Sequence, residues 1–395
     1  MSKPYSLSFD ACKKAVIHTL KSRLVPCVES APGMGKSSMA KQIAKELNLC
    51  FIDIRLSTID PMDLNGFAAI EEKTMDDGTT KRLASYLPMS IWPVEGTPLP
   101  INPDTGAPYQ GWLILFDELR SANPDIQAAA YRILLDHEVG QYKLHPRCLK
   151  MAATNGVDHN AVAYDAGTAI QSRLVWYFLR SDLNEFLDMA QRVGIDQRIQ
   201  GYLMWKGVEA LNNFNPDSDE CTFPCERTWE MLSKQLKAIT TPDIPAEYLP
   251  MIIGTIGQSM AVEFQAYTQI YQNLHTYQEV LQQGKTLPID TTRPDILYAM
   301  AARIQSEVTA ANAANDVPLL MEYVNRLPIE FQAMIMSRIL VTAPLLQTSC
   351  PAAITWITQK AAYLSNARNQ VGAIPPSQTT SSATANQTQA VSPNP

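Results

Sequence analysis

Residues 30–37 read Ser30-Ala-Pro-Gly-Met-Gly-Lys-Ser37. Ahead of them, Leu24-Val-Pro-Cys-Val-Glu29 is short and apolar, as a buried strand is. Behind them, Met39, Ala40, Ile43, Ala44 and Leu47 fall on one face of a helix over 37–47. Strand, glycine-punctuated loop and helix in that order predict a phosphate cradle, in which loop amides and the helix N-terminus surround an anion. Lys36 would neutralise phosphate oxygens and the Ser37 hydroxyl would coordinate Mg²⁺. A phosphate loop usually opens with Gly, and here Ser30 takes that place. Gly33, Gly35 and Lys36 remain where close backbone approach matters most.

A second stretch, Trp112-Leu-Ile-Leu-Phe-Asp117-Glu118, is an apolar run that ends in two carboxylates. Five apolar residues in a row fit a strand buried on both faces of a parallel sheet. Its C-terminal end is where an open α/β sheet presents ligands. Asp117 would hold Mg²⁺ through water and Glu118 would polarise the attacking water. An ordinary surface Asp-Glu after a core strand is the plainer alternative. The pair also precedes a helix start at Asn123-Pro124, which argues for an organised turn.

Two polar residues extend the set. Asn155 stands just past a short apolar stretch, Cys148-Leu-Lys-Met-Ala-Ala153, and its amide would bridge the attacking water and the γ-phosphate. Arg173 precedes Leu174-Val-Trp-Tyr-Phe-Leu179, a fifth strand candidate, and is suited to reach the nucleotide of a neighbouring subunit. Such an arginine contributes roughly 10³–10⁵ in rate.

At these residues the chain resembles the MoxR-like branch of the AAA+ ATPases, over about residues 8–265. The resemblance rests on Ser30–Ser37, Asp63-Leu-Asn-Gly66, Asp117-Glu118-Leu-Arg-Ser-Ala-Asn-Pro124, Ala152-Ala-Thr-Asn155, Arg173 and Arg227-Thr-Trp229-Glu. It implies an α/β AAA+ P-loop core with a five-stranded parallel sheet, followed by an α-helical lid and a helical C-terminal extension. It implies ATP and Mg²⁺ as cofactors, held by Ala31, Pro32, Gly33, Met34, Gly35, Lys36, Ser37 and Ser38, with Ser37 and Asp117 at the metal. Glu118 is then the catalytic base, Asn155 the sensor 1 residue, Arg173 the arginine finger and Arg227 the sensor 2 arginine. The implied partners are further copies of the chain in a ring, a hexamer by resemblance, and a protein client such as a von Willebrand A-type domain protein. Three positions depart from the family pattern. Arg120 stands one place earlier than the usual arginine, Ser172 precedes the finger, and Glu226 replaces a common Pro before Arg227. None of these removes a catalytic group, and the role of the usual arginine is not carried to Arg120.

Composition agrees with a machine of this kind. The chain has 395 residues, which suggests two or three domains, and 46% hydrophobic residues, ample for real cores. A net charge of −7 argues against a protein whose main task is gripping a nucleic-acid backbone. No signal pattern or 18-residue apolar run is present, so a cytoplasmic location is expected. The odd count of 7 cysteines does not make a disulfide framework. Cys221 and Cys225 lack a second ligand pair at zinc spacing. His159, near Asn155, reads as a loop histidine.

The expected organisation is a core over 1–180 with an insertion at about 67–110, a lid over 181–267, a helical extension over 268–370 and an unstructured tail over 371–395. The greasy stretch Ile252 to Val262 is expected to be a core helix. Tyr86, Trp92 and Tyr109 in the insertion would either grip a substrate in a ring pore or pack the insertion. Two other functions fit the motifs, a DNA-directed ATPase (a loader or replication accessory) and a nucleotide-gated scaffold with little hydrolysis.

Overall fold

The computed structural model describes residues 5–156 and 171–370. His159 and the 371–395 tail lie outside the described residues.

The fold class expected from the sequence is the one observed, an α/β core followed by helices. Five strands, β1 (Pro26–Ser30), β2 (Leu49–Arg55), β5 (Gly111–Asp117), β8 (Cys148–Asn155) and β9 (Val175–Phe178), form one parallel sheet in the order β2-β5-β8-β1-β9. Every residue of β1 and β5 is buried, as both faces are covered. Side chains alternate across the sheet with period two. Val28, Leu113, Leu115, Met151 and Ala153 pack on α1 (Phe9–Lys21) and α2 (Lys36–Glu46). Cys27, Ile114, Phe116 and Ala152 pack on the opposite side with α4 (Pro124–Asp136). Each such aliphatic or aromatic side chain taken from water contributes roughly 1.5–3 kcal/mol before entropy is subtracted.

Between β2 and β5 the insertion is a hairpin rather than a helix. After the short α3 (Pro61–Asn65), β3 (Phe67–Thr74) pairs antiparallel with β4 (Thr80–Leu87). Gly66 marks its base, because a Cβ there would stand 2.4 Å from the Leu87 carbonyl oxygen. Tyr86 is half exposed on the hairpin. Trp92 is not a gripping residue: it is buried, stacks on Phe116 of β5 and donates its indole N–H to the Asp63 carbonyl at 2.7 Å. Tyr109 is half-buried in the loop that leads into β5. A smaller hairpin, β6 (Glu138–Val139) and β7 (Tyr142–Lys143), joins α4 to β8. The Asn123 side chain caps α4 by accepting from the Ile126 amide.

From residue 183 onward the chain is helical. The main helices are α5 (Leu183–Val193), α6 (Gln197–Lys206), α7 (Glu226–Leu236), α8 (Leu249–Ile256), α9 (Gln258–Thr268), α10 (Tyr277–Gln283), α11 (Pro294–Glu307), α12 (Ala313–Val324), α13 (Ile329–Thr342) and α14 (Pro351–Gln370). Buried residues from Leu183 to Trp356 form one continuous cluster. The Ile252–Val262 stretch is two helices, not one. Gly257, at a left-handed φ of +84°, breaks it, and Glu220 sits where a side chain would otherwise go. Among the described residues no helix is long and apolar enough to cross a membrane.

Candidate nucleotide site

The site grows from the C-terminal ends of β1, β8 and β5, three consecutive neighbours in register: Ser30 lies opposite Asn155, and Phe116 opposite Ala152. The loop leaving β1 turns through Gly33 at φ +80° and Gly35 at φ +81°, left-handed conformations that glycine adopts without strain. That path aims successive amides and the first turn of α2 at one point, the geometry that favours an anion.

Lys36 begins α2 and is buried. Its ammonium donates to the Ser30 hydroxyl at 2.9 Å, the Ala31 carbonyl at 3.1 Å and the Asn155 side-chain oxygen at 2.9 Å. Burial pushes the amine down to about 8; Asp117 pulls it back up and Arg227 pushes it further down. Ser30, the departure from the usual loop, thus contributes a hydroxyl to the lysine. Beside it the Ser37 hydroxyl donates to an Asp117 carboxylate oxygen at 2.7 Å. Ser37 and Asp117 therefore already meet, and both offer the hard oxygen donors that Mg²⁺ takes.

Glu118 follows at φ +60°, a left-handed position for a side chain that is not glycine. The other Asp117 carboxylate oxygen accepts from the Glu118 amide at 2.8 Å, which organises this turn. The Glu118 carboxylate accepts from the Ser57 hydroxyl, just past β2. Nothing in the local sequence around Ser57 marks it, and only the pairing of β2 with β5 brings it near.

Arg120, the arginine that stands one place early, turns away from the phosphate loop. It pairs with Glu29 of β1 at 2.7 Å, with both side chains largely buried, and its guanidinium lies 4.9 Å from the Trp176 ring of β9. The arginine therefore ties β1, β9 and the Asp117–Glu118 turn together.

Arg227 lies in the first turn of α7, and its amide donates to the Gly33 carbonyl at 3.3 Å. Cys225, which caps that helix, is packed so closely that a Cβ on Gly33 would stand 2.3 Å from its sulfur. Glu226 accepts from Ser181 at 2.6 Å and from Asn212 at 3.0 Å, and its burial raises its pKa. The helical region thus touches the phosphate loop directly. A cleft of about 630 Å³ opens at this junction, lined by the loop, by Phe9 and Lys13 of α1, by Arg227 and by Val341 and Thr342 of α13. Its size suits a small-molecule ligand.

Arg173 is not brought into this group. It is exposed and precedes Val175, which pairs with Pro26 at the start of β1. The loop leaves the other end of β1, four strand residues or about 13 Å away. Among the remaining expected residues, Lys36, Ser37, Asp117 and Asn155 are joined by direct hydrogen bonds, Glu118 adjoins them, and Arg227 reaches the loop through its backbone.

No family model and no curated protein matches this chain. Solved structures similar to it include a candidate ATPase from Cytophaga hutchinsonii, at 15% identity and a TM-score of 0.33, covering 83% of this chain and 79% of that one. They also include a variant of RuvB from Thermotoga maritima, at 14% identity and a TM-score of 0.35, covering 80% of this chain and 90% of that one. NtrX from Brucella abortus matches at 14% identity and a TM-score of 0.33, covering 82% of this chain and 69% of that one.

Proposed function

We propose that this chain is a magnesium-dependent ATPase of the AAA+ type. The observation that carries the reading is the paired contact of Lys36 with Asn155 and of Ser37 with Asp117, which gathers a phosphate-binding amine, two metal-type oxygen donors and a polar amide at one end of the sheet. On binding a nucleoside triphosphate, Lys36 leaves its carbonyl partners for phosphate oxygens, and the loop amides take the rest. Mg²⁺ held by Ser37 and Asp117 would offset phosphate charge. Glu118 accepts a proton from the attacking water as that oxygen bonds to the γ-phosphorus and the bond to the β-phosphate oxygen breaks, releasing ADP and phosphate. Asn155 orients that water.

Arg173 stands near the opposite end of β1 from its own loop, and in this reading it completes the site of a neighbouring copy, with a hexameric ring as the natural closure. The finer assignment is a MoxR-like remodeller with a core over 1–180, a lid over 181–267 and an extension over 268–370, acting on a client protein of the von Willebrand A type. The motif set supports it.

ATP turnover per subunit, measured across protein concentration for the wild type and Arg173→Ala, tests this function. Turnover should rise with concentration in the wild type and fall by roughly 10³-fold or more in the variant while ATP still binds. Turnover that is flat with concentration and indifferent to Arg173 would remove the shared-site ring.

A further inference from the structure

Helix α13 belongs to the far C-terminal region, yet it borders the cleft beside the phosphate loop. It is fixed there by long-range contacts. Arg338 of α13 pairs with Asp188 of α5 and donates to the Asn184 carbonyl at 3.2 Å. Gln191 of α5 donates to the Thr342 hydroxyl at 2.7 Å and to the Gln305 carbonyl of α11 at 3.0 Å. The three helices share one core, so the C-terminal turn of α13 is held rigidly against α5. Ile339 and Leu340 are buried in that core, whereas Val341 is 50% exposed and lines the cleft.

The loop and the start of α2 also line this cleft, but Glu118 and Asn155 do not. Those two residues mark the side of the loop where the terminal phosphate reacts. A nucleotide with its phosphates on the loop must therefore direct its nucleoside the other way, into the cleft. The apolar members of the lining, Phe9, Met34, Leu179, Phe186, Met189 and Val341, suit the faces of a planar base.

We infer that the C-terminal turn of α13 walls the nucleoside part of the nucleotide site, and that Val341 is a nucleoside-contacting, specificity-determining residue. The inference rests on the nucleotide-binding reading above and extends it to a helix outside the motif-bearing core. It also means that the C-terminal helices meet the bound nucleoside directly, without relay through α7.

The test is titration calorimetry of the full chain with MgATP and, separately, with inorganic tripolyphosphate, for the wild type and Val341→Trp. The position is exposed, so the larger ring has no core to disrupt, and circular dichroism and the melting temperature verify the fold. A tryptophan pressed into a bound nucleoside should change ATP affinity by about tenfold or more. Tripolyphosphate affinity should stay within twofold of wild type. A change confined to ATP, in either direction, supports the contact. ATP affinity that is unchanged, or that changes in step with tripolyphosphate, overturns it. If the wild type binds neither ligand, the nucleotide reading itself falls, and this inference with it.

Discussion

The Lys36 ammonium donates to the Asn155 side-chain oxygen at 2.9 Å, joining the phosphate loop to the end of the neighbouring strand β8. The amine is also held by the Ser30 hydroxyl and the Ala31 carbonyl. The same burial that holds it there brings its pKa down to about 8.

That value gives nucleotide binding a definite pH dependence. A polyphosphate favours the charged amine and so raises its pKa. Binding near pH 8 must then take up protons, and affinity should fall as pH rises through that value, by up to about tenfold per pH unit for one linked proton. Calorimetry in buffers of different ionisation enthalpy would read the proton uptake directly. Affinity that is flat from pH 7 to pH 9.5 would show that Lys36 takes up no proton on binding, which rules out a depressed amine that recharges on phosphate.

Glu118→Gln keeps the shape of the turn and removes the base. Turnover should drop roughly 10²–10⁴-fold with ATP affinity retained. Ser57→Ala should act in the opposite sense, because it releases the carboxylate from a hydroxyl that competes with the attacking water for it. A single hydrogen bond contributes about 0.5–1.5 kcal/mol, so basal turnover should rise by no more than about tenfold. A Glu118→Gln protein working at wild-type speed would exclude this carboxylate as the base.

The parts of this molecule legible in its sequence are those where neighbours in sequence are neighbours in space. The loop from Ser30 to Ser37 carries its own glycines, lysine and metal-type hydroxyl, and the strand ending at Asp117 carries its own apolar run. Both needed only local periodicity to be placed. Register then set Asn155 opposite Ser30, which a parallel arrangement of two short strands makes natural. Ser57, Cys225 and Val341 reach the site only through tertiary packing, and nothing in their local sequence distinguishes them from loop or core residues. Trp92 in the insertion was ambiguous for a related reason: an aromatic residue in a loop fits either a grip or a plug, and only the stacking on Phe116 decides. The break at Gly257 was legible in principle, since a glycine in a greasy run lowers its helical propensity. Hydrophobic continuity on both sides concealed it.

Arg120 yields a structural prediction separate from catalysis. Its ion pair with Glu29 is largely buried, and removing one partner leaves the other charge in a poorly solvated place. Arg120→Met should therefore cost on the order of 3–5 kcal/mol in unfolding free energy, and Glu29→Gln combined with it should recover part of that. Denaturant titrations of both single variants and the double variant would give the coupling. Additive effects would mean that the pair is incidental and that the Asp117–Glu118 turn is held by other contacts.

Gly33 allows a test of how the helical region seats on the phosphate loop. Two separate penalties attach to Gly33→Ala. The left-handed φ of +80° strains any side chain, by roughly 1–2 kcal/mol, and the new Cβ would stand 2.3 Å from the Cys225 sulfur. Only the second penalty depends on α7. Replacing Cys225 with Ala removes the sulfur and leaves the backbone strain untouched. The double variant should thus be less destabilised than the sum of the two single variants, with a coupling of about 1 kcal/mol, the usual size for residues in direct contact. ATP affinity should follow the same pattern, weakest in Gly33→Ala and partly restored in the pair, because the overlap displaces the loop that carries the phosphate-binding amides. If the two substitutions are strictly additive in both stability and ATP affinity, then Cys225 does not press on the loop in solution, and movement of α7 would not be transmitted to the phosphates through this contact.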